Sequence, residues 1–326
     1  MKLFIALTGL TGGMFLASLF VGYAAISLPE GLAALFGQGN PLHVTVMQDI
    51  RLPRTLLAAM IGVSLGLSGA AMQGFLRNPL AEPGLIGVSG SAALGAVIAL
   101  QTGFAAAFFL ALPITALGFA GVAVGLILLL AGPRGSSLTL ILAGIAVSAF
   151  AAALTSLTLN LSPNPYAASE IMFWMMGSVA NRAMSHVWLA LPIMALGWLA
   201  LAGLGRGLDA LTLGEDAAEA MGISLSRLRV QLLFGTAAAV GAATAVAGAV
   251  GFVGLVVPHI LRRFAHGRPS TLLWASALGG AAMLLAADLV TRLVLPQRAL
   301  KLSAVMSPFG APLFLPPTYK TRTAFA

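Results

Sequence analysis

The run Thr55–Leu76 is opened by Arg51-Leu52-Pro53-Arg54 and closed by Arg77-Asn78-Pro79-Leu80-Ala81-Glu82-Pro83-Gly84. Its 22 residues carry no charge. A helix that crosses a bilayer needs about 20 mostly apolar residues, and this run has that length. Working outward, the other apolar segments are Leu3–Ser27, Leu85–Leu100, Phe104–Leu130, Leu138–Leu161, His186–Leu204, Leu228–Val250, Gly251–Leu261 and Leu272–Leu295. A tenth segment, Leu302–Leu315, is short and holds Pro308 and Pro312. Backbone polar groups in lipid must be paired internally, so each segment is expected to be helical. The period-two alternation of a membrane barrel is absent. The expected fold is an all-α polytopic membrane protein of about ten transmembrane helices, some short or broken.

Composition points the same way. The chain has 326 residues, 59% hydrophobic and 8% charged, where soluble domains carry about 25% charged residues. Its mean hydropathy is +1.00. That supply of charge cannot build a water-facing surface, which excludes a soluble enzyme, a disordered chain and a nucleic-acid binder. A net charge of +8 reflects 17 basic residues, scattered among the apolar spans, against 9 acidic ones, a pattern that sets membrane orientation. There is no cysteine, hence no disulfide, thiolate metal site or cysteine nucleophile. Leu3–Ser27 is longer than a signal h-region and lacks a clean cleavage site, so it reads as a retained helix.

With the N-terminus in the cytoplasm, inside segments hold Lys2, Arg77, Arg134, Arg206, Arg227, Arg229, Arg262, Arg263, Arg268, Lys320 and Arg322. Outside segments hold Arg51, Arg54, Arg182, Arg292, Arg298 and Lys301. The bias favours this orientation. It also leaves six outside charges that need a separate reason.

Two places break the helical pattern. Asn78–Gly84 contains Pro79 and Pro83, each of which removes a donor and restricts the preceding residue. It is either a tight cytoplasmic turn or a re-entrant stretch covered by protein. Gly248–Pro258 is apolar but glycine-rich, and Gly251–Leu261 is too short to span, so a half-length helix is expected there. Interrupted segments in two halves of a transporter often mark its pathway.

The most polar segment is Arg206–Arg229. Within it Gly214–Gly222 reads as a short helix, with Glu215 and Asp216 near the positive end of its dipole, Glu219 further along and Gly222 as a stop. It is either a solvated connection or a docking element. Asp288 lies inside a span, where a charge is costly unless paired, and Arg292 stands four residues on. No His, Asp, Glu or Ser/Lys cluster within the spans marks an intramembrane enzyme, and no catalytic or metal site is expected. His259, beside Pro258, is read as a structural hydrogen-bonding residue. An ATPase-independent secondary transporter would need paired ionisable groups in mid-span, and Asp288 is the one acidic candidate.

The blocks quoted around Thr55–Leu76, with Gly69-Ala70-Ala71-Met72-Gln73 inside it and Leu85-Ile86-Gly87-Val88 after it, form a long match to a known family. So do Leu142-Ala143-Gly144, Phe173-Trp174-Met175-Met176-Gly177-Ser178, Leu213-Gly214-Glu215, Ala220-Met221-Gly222 and Gly251-Phe252-Val253-Gly254-Leu255-Val256-Val257-Pro258-His259. From about residue 15 to 302 the chain resembles the FecCD-type permeases of ABC importers for ferric siderophores, haem and vitamin B12. The resemblance implies one permease domain over 1–326, ten helices and a homodimer in the bacterial inner membrane, surrounded by lipid. It also implies two cytoplasmic ATPases and a periplasmic binding protein. ATP and Mg would be bound by the ATPases, consistent with the lack of a phosphate loop here, and no cofactor is expected in this chain.

Carried onto this sequence, the family pattern gives Arg51, Arg54 and Arg292 to binding-protein docking, where a guanidinium fork can hold a carboxylate. Leu213–Ser224 matches the helix that sits in the ATPase cleft, giving Gly214, Glu215, Asp216, Glu219, Met221 and Gly222 to coupling. Ser136 and Ser137 match small hydroxyl residues near the inner gate, and Asn78 and Pro79 join them as pathway residues. The C-terminus departs from the family. Leu302–Leu315 would make a helix of about 21 Å at 1.5 Å per residue, short of a hydrocarbon core of about 30 Å. Pro316 and Pro317 then stop it, and 302–326 is atypical.

Overall fold

The computed structural model describes residues 2–108, 110–132, 137–162, 165–294 and 300–310. Among them the chain is helical, with no strand. In order the helices are α1 (Lys2–Phe20), α2 (Leu28–Leu35), α3 (Pro41–Thr45), α4 (Leu52–Phe75), α5 (Val88–Gln101), α6 (Ala111–Ala131), α7 (Ser137–Asn160), α8 (Pro165–Met175), α9 (Met184–Ala202), α10 (Gly205–Leu211), α11 (Glu215–Ala220), α12 (Leu225–Ala247), α13 (Val253–Leu261), α14 (Pro269–Val294) and α15 (Leu302–Gly310). A π-helical turn, Val46–Arg51, joins α3 to α4.

Among the described residues seven helical segments are long and apolar enough to cross a membrane: α1, α3–α4 with the turn between them, α6, α7, α9, α12 and α14. α5 has 14 residues, and α13 and α15 have nine each. These ten segments answer the ten apolar segments of the sequence. The polytopic all-α architecture is as expected.

α4 is the centre of the bundle. Of its apolar window 83% is buried, against 17% for α1. Small residues make this possible. A side chain added at Gly62 would run into the carbonyl of Gly280, and one at Gly66 into the carbonyl of Ser276. The pairing 62 with 280 and 66 with 276 makes α4 and α14 antiparallel with their backbones in contact. This is the small-xxx-small packing of membrane helices, where close approach replaces the hydrophobic drive. Gly69 meets Gly254 of α13 in the same way. α9 and α12 cross through Gly197 and Gly235.

The alternatives for Asn78–Gly84 are resolved by Gly254. A Cβ there would lie 2.8 Å from Pro83 Cδ and 3.0 Å from the carbonyl of Leu65. Leu65 precedes the end of α4 by ten residues, about 15 Å at 1.5 Å per residue. The chain therefore folds back beside α4, and the segment is re-entrant. It closes with a turn of 3-10 helix, Pro83–Ile86, and with Gly87 at φ +72°, packed on Ser148 of α7.

α13 is the expected half-length helix. α15 ends against it, since a side chain at Gly310 would strike the ring of Phe252. Residues 311–326, including the rest of Leu302–Leu315, lie outside the described residues. α1 is shorter than Leu3–Ser27. Beyond Phe20 the chain turns, and Ser27 begins α2 with a capping box: Ser27 N–H donates to Glu30 Oε2 at 3.1 Å, and Glu30 N–H to Ser27 Oγ at 3.5 Å.

Candidate functional site

One end of the bundle gathers Arg51, Arg54 and Arg292. α1 stops at Phe20, and its last carbonyls have no intrahelical partner and carry the negative end of the dipole. Arg51, at the end of the π-helical turn, donates to Phe20 O at 2.8 Å and Ala24 O at 2.6 Å. Arg292 of α14 donates to Ser18 O at 2.7 Å. Two guanidiniums from distant parts of the chain thus cap one helix.

Asp288 binds this cluster together. Arg54 of α4 grips it with Nε at 2.9 Å and Nη2 at 2.7 Å from Oδ1, and also donates to Thr291 Oγ1 at 3.2 Å. Arg292 reaches Asp288 Oδ2 through Nε at 2.9 Å and through Nη2. The expected i,i+4 pair is present, and Arg54 completes it across two helices. The side chain of Asp288 is 1% exposed.

This geometry gives two of the three docking candidates a structural role. Arg51 and Arg292 are each 4% exposed, with their donors spent on α1 and Asp288. In this conformation neither presents a guanidinium to a partner. Arg54, with 18% of its side chain exposed, retains some surface. The charges of Arg51 and Arg292 are therefore structural at this end of the bundle.

The opposite end carries the polar segment. Asp209 of α10 accepts from Ser270 N–H at 2.9 Å and Ser270 O–H at 2.6 Å, which fixes α10 to the start of α14. α11 projects beyond it. Gly214 begins α11 at φ +110° and Gly222 follows it at φ +82°, a region that favours glycine. Asp216, Glu219 and Met221 are exposed, and Ala218 is buried beneath them. All six expected coupling positions thus lie on one short helix and its two glycine ends. Arg77, at the start of the re-entrant segment, lies 3.6 Å from Glu215.

Asn78 and Pro79 are exposed beside Arg77, and Asn78 Oδ1 accepts from Leu80 N–H at 2.9 Å. Ser137 begins α7. Ser136 lies outside the described residues. No group of three His, Asp or Glu able to hold a metal occurs among the described residues.

The interior holds a contact that the residue-by-residue reading missed. Glu82 Oε1 accepts the backbone N–H of Phe252 at 3.0 Å. The two interruptions, near 80 and near 255, thus touch. A carboxylate between two prolines in an apolar setting was the available signal.

The model of the FecCD transport family matches residues 10–320. The chain belongs to the FecCD transport family. Among curated relatives it is similar to a vitamin B12 import system permease protein, BtuC, of Vibrio cholerae, 37% identical over 92% of this chain and 91% of the relative. BtuC of Salmonella typhi is 39% identical over 82% and 81%. An uncharacterized ABC transporter permease of Bacillus subtilis, YvrB, is 37% identical over 87% and 82%. Among solved structures it is similar to an inward-facing conformation of a metal-chelate type ABC transporter, with TM-score 0.87, 32% identity and 98% of this chain covered. As a FecCD permease the chain is a multi-span transport subunit.

Proposed function

We propose that this FecCD permease is the membrane subunit of an ATP-driven importer that carries an iron chelate, of the ferric siderophore class, across the bacterial inner membrane by alternating access. It would work as a homodimer with two cytoplasmic ATPases and a periplasmic binding protein, its N-terminus in the cytoplasm. The observation that carries the reading is α11. An exposed acidic helix, isolated by two left-handed glycines and set on an anchored α10, fits a cleft on a soluble partner. The similarity to a metal-chelate type transporter supports the substrate class. The similarity to two vitamin B12 permeases favours a cobalamin as the second reading. The arginine end would receive the binding protein, with Arg54 as the arginine available. Ser136, Ser137, Asn78 and Pro79 would line the inner gate.

Co-expression with neighbouring ATPase genes tests the reading. The tagged chain should retain a stoichiometric ATPase through purification, and Asp216→Lys/Glu219→Lys should release it while leaving the permease folded. A wild-type chain that purifies without an ATPase would count against the importer reading. Retention by the charge-reversed variant would remove α11 from the interface.

A further inference from the structure

The re-entrant segment 77–87 touches three separate elements at once, α11, α13 and α7. At one end Arg77, with φ +50°, lies beside Glu215 of α11. In the middle Glu82 holds Phe252 N–H, and Pro83 fills the space that a side chain at Gly254 would need. At the other end Gly87 lies against α7. We propose that Glu82 is a positioning residue for translocation, the acceptor that fixes the start of half-helix α13 to the re-entrant segment so that the two move as one. This rests on the transport reading above.

Phe252 is the reason such an acceptor is needed. Its φ of +69° is a genuine outlier for an aromatic residue. Residues held in such regions persist where the surroundings over-determine them. α13 has no side-chain cap of its own, and the first N–H groups of a helix lack intrahelical partners. Glu82 supplies the missing acceptor from 170 residues away, and a carboxylate makes that bond a strong one. The ring of Phe252 also receives the end of α15 at Gly310.

Around this joint the chain is built to bend. The segment 248–252 between α12 and α13 is not helical, and Gly248 and Gly251 lie within it. A cavity of about 90 Å³ lined by Leu65, Glu82, Ser89, Val250 and Gly251 leaves that backbone room. Hinges are a few residues at element ends that absorb φ and ψ changes. Releasing Glu82 would loosen the start of α13 from the segment that meets α11, leaving the contact of Pro83 with Gly254 to act alone. The exposed Arg77–Glu215 pair contributes little energy, so the close fits at Pro83 and Gly87 must carry the displacement.

The test compares Glu82→Ala with Glu82→Gln in the permease–ATPase complex reconstituted in liposomes. Glutamine keeps a carbonyl acceptor and alanine has none. Uptake of the radiolabelled chelate and ATP hydrolysis are measured together. Expected is a loss of uptake of about tenfold or more for Glu82→Ala, the scale of one charge-assisted bond, with hydrolysis and assembly retained. Glu82→Gln should restore most of the uptake per ATP. Normal uptake by Glu82→Ala overturns the proposal. So does failure of Glu82→Ala to assemble, which makes the role purely structural, and so does a Glu82→Gln as inactive as Glu82→Ala. If no ATPase joins the wild-type chain, the importer reading fails by itself. Hydrogen exchange of the purified chain in nanodiscs then still decides the joint. Amides 249–255 should lose protection in Glu82→Ala and keep it in Glu82→Gln, and equal protection in both overturns it.

Discussion

Asp288→Ala destabilises the folded chain by about 3–5 kcal/mol, the range for removing one partner from a buried ion pair. Three guanidiniums, those of Arg51, Arg54 and Arg292, meet at this end with one carboxylate among them. Arg54 and Arg292 both bind Asp288, whose side chain is 1% exposed. Removing it leaves their positive charges facing each other with fewer acceptors and little water. Arg292 would still hold Ser18 O, but Arg54 would keep only Thr291 Oγ1. Denaturant titration of the purified chain in mixed micelles measures the loss. The double variant Asp288→Ala/Arg292→Met removes one charge of each sign, so it should be more stable than the sum of its parts. Coupled neighbours differ from additivity by about 0.5–3 kcal/mol. A strictly additive double variant would show that the carboxylate is not there for the arginines.

The same cluster governs how docking should be probed. Charge reversal at Arg51 or Arg292 attacks the cap of α1 before it tests any partner, so a lost interaction there reports folding. Arg54→Gln is the cleaner probe, because Asp288 keeps Arg292. It should weaken capture of the binding protein in a salt-sensitive way, since complementary charge chiefly sets encounter rate and register. Unchanged capture at low salt would remove Arg54 from the docking face.

The ten apolar segments were legible because apolar length is written locally, residue after residue. The Asp288–Arg292 pair was legible for the same reason, as an i,i+4 spacing on one helix. The pairing of Arg54 with Asp288 was not legible, because nothing local tells that its partner lies 234 residues away. The bonds of Arg51 were hidden likewise. Its acceptors are the loose carbonyls of α1, and backbone acceptors leave no mark in a sequence. α8, Pro165–Met175, was missed because 11 residues with a serine and a glutamate are too short and polar for a span criterion. The Glu82–Phe252 joint needed both interruptions folded against α4. The sequence located each break, but only the packing of Gly69, Gly254 and Pro83 brings them together.

Glycine is the residue whose roles composition cannot separate, and Gly66→Ala against Gly121→Ala separates them. The chain has 38 glycines. Gly66 in α4 and Gly121 in α6 are both interior helix positions in apolar surroundings. A methyl at Gly121 meets nothing within 4 Å, whereas at Gly66 it meets the carbonyl of Ser276. Overpacking a core costs about 1–3 kcal/mol where side chains can yield. Here the obstacle is backbone, so α4 and α14 must part, and Gly62 and Gly280 part with them. Gly66→Ala is therefore expected at about 3 kcal/mol or more, at the top of that range or beyond it. Gly66→Leu should leave no folded chain in the membrane extract. Gly121→Ala should be neutral, or more stable by up to about 1 kcal/mol, because alanine is the better helix former. Both alanine variants are read by the same micelle titration, with the heat-stable fraction on size exclusion as a second measure. Equal stability of the two would mean that α4 and α14 do not touch through their backbones, and the central crossing of the bundle would have to be redrawn.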